Sequence, residues 1–462
     1  MTTLDTVLSH LESHWDEHIE DLKDLVRIPG ISADPPPNPA LEKSANAVVS
    51  LMQKAGLEGC EVIHFPGGHP YAYGEWLGAP GAPTVLLYGH HDVQPPGRAE
   101  FWQTPAFEPV VREDGRLYGR GAVDDKAGVM VHIAAIAAYL KSGAALPVNV
   151  KFIVEGEEEA GSQSLEAFLD TYKTKLQSDV IVLTDTANLE AGLPSLTVSL
   201  RGIVAIGVEV RTLDHPVHSG MWGGPVPDAV IALSKAIASL VDERGCLIPS
   251  IQHGVRETTP DELSALRALP FDEAKFREEV GVVPGAELTG DENMPVYGRI
   301  WRQPAVSVIA FEARPIAGSS NQIIESVRAR ISLRIVPDQD PEVVQEALVA
   351  HFEKSIPWGL SVKIEREAAG KWWMTTPEHP AFAAAKKAMR AGYGKDAIFI
   401  GCGGSIPFVE PFANAFGGAP ALLMGVEDPI CNAHGENESL NLDDFKKGTR
   451  AAVHLYAELA KK

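Results

Sequence analysis

Several apolar stretches of this chain run into a group that can hold a cation or move a proton. His90 and Asp92 follow the apolar run at 85–88, Glu157, Glu158 and Glu159 follow 148–154, and Asp185 follows 179–184. His434 lies in NAHGENE, beyond the run ALLMGV, and Asp124 stands in GRGAVDDKAG at the entry to a helix beginning near 127. Open α/β sheets bind ligands outside the carboxyl ends of their strands, so residues distant in the chain converge there. The set is rich in carboxylate, has some imidazole and lacks thiolate, which suits two divalent ions, zinc or manganese foremost. Paired-metal hydrolases hold two ions about 3.5–4 Å apart over a shared carboxylate and lower the pKa of a water. A carboxylate beside the ions can accept that water's proton and pass it to a leaving nitrogen. The run 157–159 can supply both a ligand and that base.

The elements that must position these groups are legible as patterns. Leu4, Leu8, Leu11, Trp15, Ile19, Leu22 and Val26 recur at helical spacing until Pro29 and Gly30. His10, His14 and His18 on the same helix could form a metal ladder, but imidazole sites need converging partners, which favours a solvated flank. From residue 83 strands alternate with helices, including a buried helix at 127–140, which predicts a mostly parallel, doubly wound sheet. Near 195 the texture changes. A helix is expected at 225–243, strands at 307–313 and 326–337, a helix at 341–354 and a strand at 359–366. Val327, Ala329, Ile331, Leu333 and Ile335 alternate with Arg328, Arg330, Ser332 and Arg334, so this sheet has one packed and one free face. Residues 196–378 are therefore read as a domain inserted into a catalytic domain made of 1–195 and 379–462. The stretch 255–300, rich in Pro, Gly and acids, reads as a loop, and Trp372 with Trp373 as a hinge or core pair.

The 462 residues carry 40 Lys+Arg against 62 Asp+Glu, a net charge of −22, which argues against a nucleic-acid partner. With 45% hydrophobic and 22% charged residues the chain has the balance of a globular protein. Cys60, Cys246, Cys402 and Cys431 form no CxxC pair, so neither a disulfide framework nor a thiolate zinc site is indicated. No apolar run is long enough to span a membrane and the first residues lack the pattern of a signal peptide, so no membrane partner and a cytoplasmic location are expected.

YGHHDVQPP, GRGAVDDKAG, EGEEEAGS, LTDT, HPVHSGMWGG, SLRIVP, GGSIP and NAHGENE occur in the order seen in the dimetal aminoacylase/carboxypeptidase/dipeptidase family. That family includes acetylornithine deacetylase, succinyl-diaminopimelate desuccinylase and the carnosinase-like dipeptidases. The resemblance implies that His90 and Asp185 are terminal ligands of one metal, Glu159 and His434 those of the other, Asp124 the bridging carboxylate and Glu158 the general base. Asp92, two residues after His90 on an extended segment, shares its side and can orient the imidazole. His91 and Asp125 remain competitors for the roles of His90 and Asp124, although adjacent residues face different ways. Glu157 is read as a solvated or supporting acid. The insert resembles the family's α+β, ferredoxin-like lid and dimerisation domain, which implies a homodimer. His218 then resembles the donor to the developing oxyanion, often supplied across subunits. Arg334 resembles the clamp for the substrate's C-terminal carboxylate, a role suited to a guanidinium fork. Ser405 in GGSIP resembles part of a loop binding the same carboxylate, and Asn321 is a further candidate for lining the site.

The implied activity is metal-dependent hydrolysis of dipeptides or short peptides with a free C-terminal carboxylate, through a water bridging two ions and activated by Glu158. HHDVQPP resembles the carnosinase-like branch more than the deacetylases. An N-acyl amino acid deacylase with the same metal site is the alternative, and a non-catalytic binding protein of the same fold the remote one. The ligand set leaves zinc, manganese and cobalt open.

Overall fold

The computed structural model of the chain describes residues 3–35, 37–406 and 409–461. They form two compact units: one holds the residues up to Val198, Thr376–Ile400 and those after Ile406, the other Ser199–Thr375 and Gly401–Ile406.

At the centre of the first unit the strands Asn149–Glu155, Thr84–His90, Val180–Leu183 and Ala421–Leu423 lie side by side and parallel. Their Val-, Ile- and Leu-rich runs are almost wholly buried, as strands covered on both faces must be. The flanks are antiparallel: Tyr71–Trp76 pairs with Asn149–Glu155, Glu58–Ile63 extends that edge, and Leu423 meets Thr197 on the other side. Helix Lys126–Lys141 is apolar all round and buried from Lys126 to Tyr139, packed against helices Pro39–Ala55 and Leu442–Leu459. Gly128 lets this helix begin against the sheet, because a Cβ there would collide with the Thr184 carbonyl and the Asp125 carboxylate. The buried Lys126 ammonium donates to the carbonyls of Leu25 and Ile28 at 2.9 Å each, tying the start of this helix to the end of the N-terminal one.

The second unit is a βαββαβ arrangement. Strands Ala305–Glu312, Ser326–Ile335, Gly202–Arg211 and Ser361–Gly370 lie in that order, all antiparallel, the ferredoxin-like pattern. Helices Ala229–Ala238 and Pro341–Ser355 supply Leu233, Ala236, Leu348 and Phe352 to one face, where they meet Val204, Ile206, Val327, Ile331 and Leu333. Arg328 and Arg330 point to the opposite, solvated face, as the alternation requires.

Three expectations are corrected. The N-terminal helix is interrupted at His14 into Thr3–Ser13 and Trp15–Val26. His18 is buried, not part of a solvated flank, while His14 is held by the His10 carbonyl through Nδ1 at 2.9 Å. No cation-ligating group among the described residues includes these histidines. Residues 255–300 are not one loop: they hold helices Pro260–Ala268, Glu273–Val280 and Val296–Arg302. The first starts on a reciprocal capping box between Thr259 and Glu262 with Pro260 in its first turn, and the second starts on Asp272 and ends at the left-handed Gly281. Trp373 is buried and Trp372 donates to the Gln339 carbonyl at 2.8 Å, so both serve packing.

Candidate metal centre

His90 closes its strand with its backbone N–H donating to Asp125 Oδ2 at 3.1 Å. Its Nδ1 faces the Asp92 carbonyl at 3.1 Å and the Asp92 carboxylate at 3.4 Å. Two acceptors on Nδ1 favour a proton there, which leaves Nε2 as the ligand nitrogen. That Nε2 lies 3.1 Å from Asp124 Oδ1 and 3.8 Å from Asp185 Oδ1. The other oxygen of Asp124 lies 3.0 Å from His434 Nε2, which is also 3.2 Å from Glu159 Oε2. Asp124 therefore stands between two imidazoles with one oxygen turned to each. Two triads of potential ligands result, His90–Asp125–Asp185 and Asp124–Glu159–His434, each with its donor atoms within 4.8 Å of one another. Asp125 belongs to the first triad, so adjacent carboxyl groups both reach this edge, and only Asp124 reaches both imidazoles.

The neighbouring residues divide by direction. His91 turns away, its Nε2 at 2.9 Å from the Pro70 carbonyl, and burial pushes its pKa down to about 4. Glu157 is neither solvated nor at the centre. It is buried and accepts from Tyr71, from the Ser164 amide and hydroxyl, and from the His69 amide, which fixes the turn that presents Glu158 and Glu159. Asp92 Oδ2 accepts the Glu159 amide at 3.0 Å, and Gln94 donates to Glu159 Oε2 at 2.8 Å. The Gln of HHDVQPP thus positions a candidate ligand.

Sequence reasoning missed the pair that supports Asp124 and His434 from behind. Glu438 accepts the backbone N–H groups of Gly121, Val123 and Asp124 at 2.9–3.2 Å and the Arg120 guanidinium at 2.7 Å. Arg120, 1% exposed, also donates to the carbonyls of His434 and Gly435 at 3.1 Å. Both residues lie inside quoted motifs, four residues from Asp124 or His434, and that proximity was the available signal.

The electrostatics are those of acids gathered without enough positive charge. Burial disfavours a charged His90, yet contacts with Asp124, Asp185 and Asp92 outweigh it and lift its pKa well above the histidine range. Asp124 and Glu159 push His434 up to about 11. Burial lifts Asp185 to about 6 despite His90, and lifts Glu158 well above the carboxylate range, with Asp185 and Glu159 adding to the effect. Burial also opposes ionisation of Asp92, but its contacts with His90 and Ser32 hold it below its ordinary value. In the absence of metal these groups hold protons to balance one another, and divalent ions would bind by competing those protons off. Oxygen and imidazole donors without thiolate fit such ions.

In the second unit two further pairs form. His218 is exposed, lies across from Gln322 in a two-residue ladder, and its Nδ1 accepts the Gly220 amide at 3.1 Å. The exposed Asn321 joins it, accepting the Ser219 amide on its carbonyl at 2.9 Å. Arg334 is half-buried and donates to the Ser405 hydroxyl at 3.2 Å. Pro407, the last residue of GGSIP, lies outside the described residues.

Residues 86–458 match the model of peptidase family M20/M25/M40. A Cys-Gly metallodipeptidase of Schizosaccharomyces pombe is 32% identical over 474 residues, covering 99% of this chain and 98% of the relative. The human Beta-Ala-His dipeptidase is 29% identical over 483 residues, covering 99% and 93%. The solved structure of the di-peptidase Dug1p of Saccharomyces cerevisiae superimposes with a TM-score of 0.88 at 27% identity, covering 100% of both chains. The chain belongs to peptidase family M20/M25/M40.

Proposed function

We propose that this chain is a metal-dependent dipeptidase that hydrolyses the amide bond of dipeptides with a free C-terminal carboxylate. The observation that carries the reading is Asp124, whose two oxygens face His90 and His434 at 3.1 and 3.0 Å. A carboxylate so placed fits a bridge between two cations. The full-length similarity to proteins named as dipeptidases supports the substrate class. His90 and Asp185 would hold one ion, Glu159 and His434 the other, with Asp124 shared. Zinc is the first choice for imidazole and carboxylate donors, ahead of manganese and cobalt. When bound, such ions supply Lewis acidity that lowers the pKa of water and polarises the scissile carbonyl.

The chain's own residues do the rest. Glu158 takes the proton of the attacking water on its carboxylate and returns it to the leaving amide nitrogen. Asp92 holds His90 in the orientation and tautomer that offers Nε2. His218 donates to the oxyanion, and Arg334 with Ser405 holds the terminal carboxylate, with Asn321 beside them. The inserted segment 196–378 carries His218, Arg334 and Asn321 and forms a homodimer through which His218 acts. Four free cysteines suit a cytoplasmic location.

The test is removal of metal with a chelator, re-addition of single ions, and assay on matched panels of dipeptides and N-acyl amino acids. Recovery on dipeptides is expected. Turnover of acyl amino acids alone would overturn the substrate class.

A further inference from the structure

Glu427 belongs to none of the roles assigned above, yet the fold brings it to the same edge. Strand Ala421–Leu423 runs parallel to Val180–Leu183, and the two segments stay paired beyond their strand ends. Met424 donates its amide to the Leu183 carbonyl at 2.9 Å, Glu427 bridges Ala187, and Asn188 donates its amide to the Glu427 carbonyl at 2.9 Å. Gly425 permits the contact, since a Cβ there would collide with the Thr186 carbonyl. Glu427 is thus fixed beside the loop that carries Asp185, seven residues before His434. Its carboxyl group has Asp124, Asp185 and His434 as electrostatic neighbours.

The other supporting acids are already spent. Asp428 is locked by Arg116 at 2.8 and 3.1 Å, Glu438 by Arg120 and three amides, and Glu157 by Tyr71 and Ser164. Asp92, Asp124, Glu159 and Asp185 face imidazoles. No described donor reaches the half-buried Glu427 carboxylate. Two divalent ions would still be outnumbered by the carboxylates gathered here, so the edge retains a demand for positive charge. A half-buried carboxylate without a donor is costly unless a cation meets it.

We propose that Glu427 is a specificity-determining residue that receives the α-ammonium group of the substrate's first residue. The inference rests on the dipeptidase reading and deepens it, because a free ammonium separates a dipeptide from an N-acyl amino acid. Glu427 lies outside both ligand triads, and the role assigned to it is recognition, which the metal content of the variant separates from metal binding.

The experiment compares a dipeptide with its des-amino analogue, identical but lacking the α-amino group, on wild type and Glu427→Gln, with metal content measured on both. On wild type the analogue should be the poorer substrate. Glu427→Gln should lose about 10- to 100-fold in kcat/KM on the dipeptide, chiefly through KM, with little change on the analogue and two ions retained. Equal loss on both substrates, no loss on either, or loss of an ion would overturn the assignment. Should the variant fail to fold, wild type still decides: equal turnover of dipeptide and analogue would overturn it. Wild type inactive on every dipeptide but active on acyl amino acids would overturn the dipeptidase reading itself.

Discussion

The two sheets of this molecule treat charge in opposite ways. On the free face of the second unit opposite signs are paired: across strands Arg328 meets Glu209 at 3.2 Å and Arg330 meets Glu367 at 2.9 Å, and along one strand Lys363 meets Glu365 at 2.6 Å. Each pair is satisfied within the sheet and most of these side chains are in water. At the carboxyl edge of the first unit one sign is concentrated. Asp124, Asp125, Glu158, Glu159 and Asp185 crowd together, largely out of solvent, and only His90 and His434 answer them within the two triads. A paired surface of the first kind asks for nothing further. A one-signed edge of the second kind is stable only if something cationic completes it, and the family's chemistry occupies that gap.

The contrast is broken most strongly at Glu158. Glu158→Gln should lower kcat about 10²- to 10⁴-fold while both ions stay bound, read by steady-state kinetics and metal analysis on one preparation. Unchanged turnover would remove Glu158 from the chemistry. Arg120→Met comes next. It strands Glu438 as a buried unpaired acid and should cost about 3–5 kcal/mol of stability in denaturant unfolding. A loss below 1 kcal/mol would mean the pair contributes little. Asp92→Ala should weaken metal binding about 10- to 100-fold without unfolding the chain, measured by competition with a chromophoric chelator. At the small end, Arg330→Ala on the paired sheet face should change stability by about 1 kcal/mol or less, since both partners are partly in water. A large effect there would erase the distinction between the two regions.

What could be read from the sequence follows the range of the interactions. His90, Asp185 and the Glu157–Glu159 run were visible because a strand announces itself by a local apolar run and its end is local too. The packed face of Ser326–Ile335 was visible for the same reason, through period-two alternation. Arg120 and Glu438 were not, because their pairing joins positions 318 residues apart and the one hint, that each stands four residues from Asp124 or His434, does not reveal that they pair. His18 shows the reverse failure: its spacing matched an exposed ladder, but the apolar stripe turns far enough to bury it. In 255–300 the capping box at Thr259 and Glu262 was present, yet short helices without an apolar stripe leave no periodicity to read. The direction of Glu157 depended on Tyr71 and Ser164 from other elements, and no count of adjacent acids could supply it.

The most direct test is a calorimetric titration of chelator-treated protein with zinc, wild type against Asp124→Ala. A carboxylate shared between His90 and His434 predicts two ions per chain for wild type and loss of both tight sites, with dipeptide turnover, in the variant. A single ion in wild type, or two ions bound undiminished by Asp124→Ala, would contradict it.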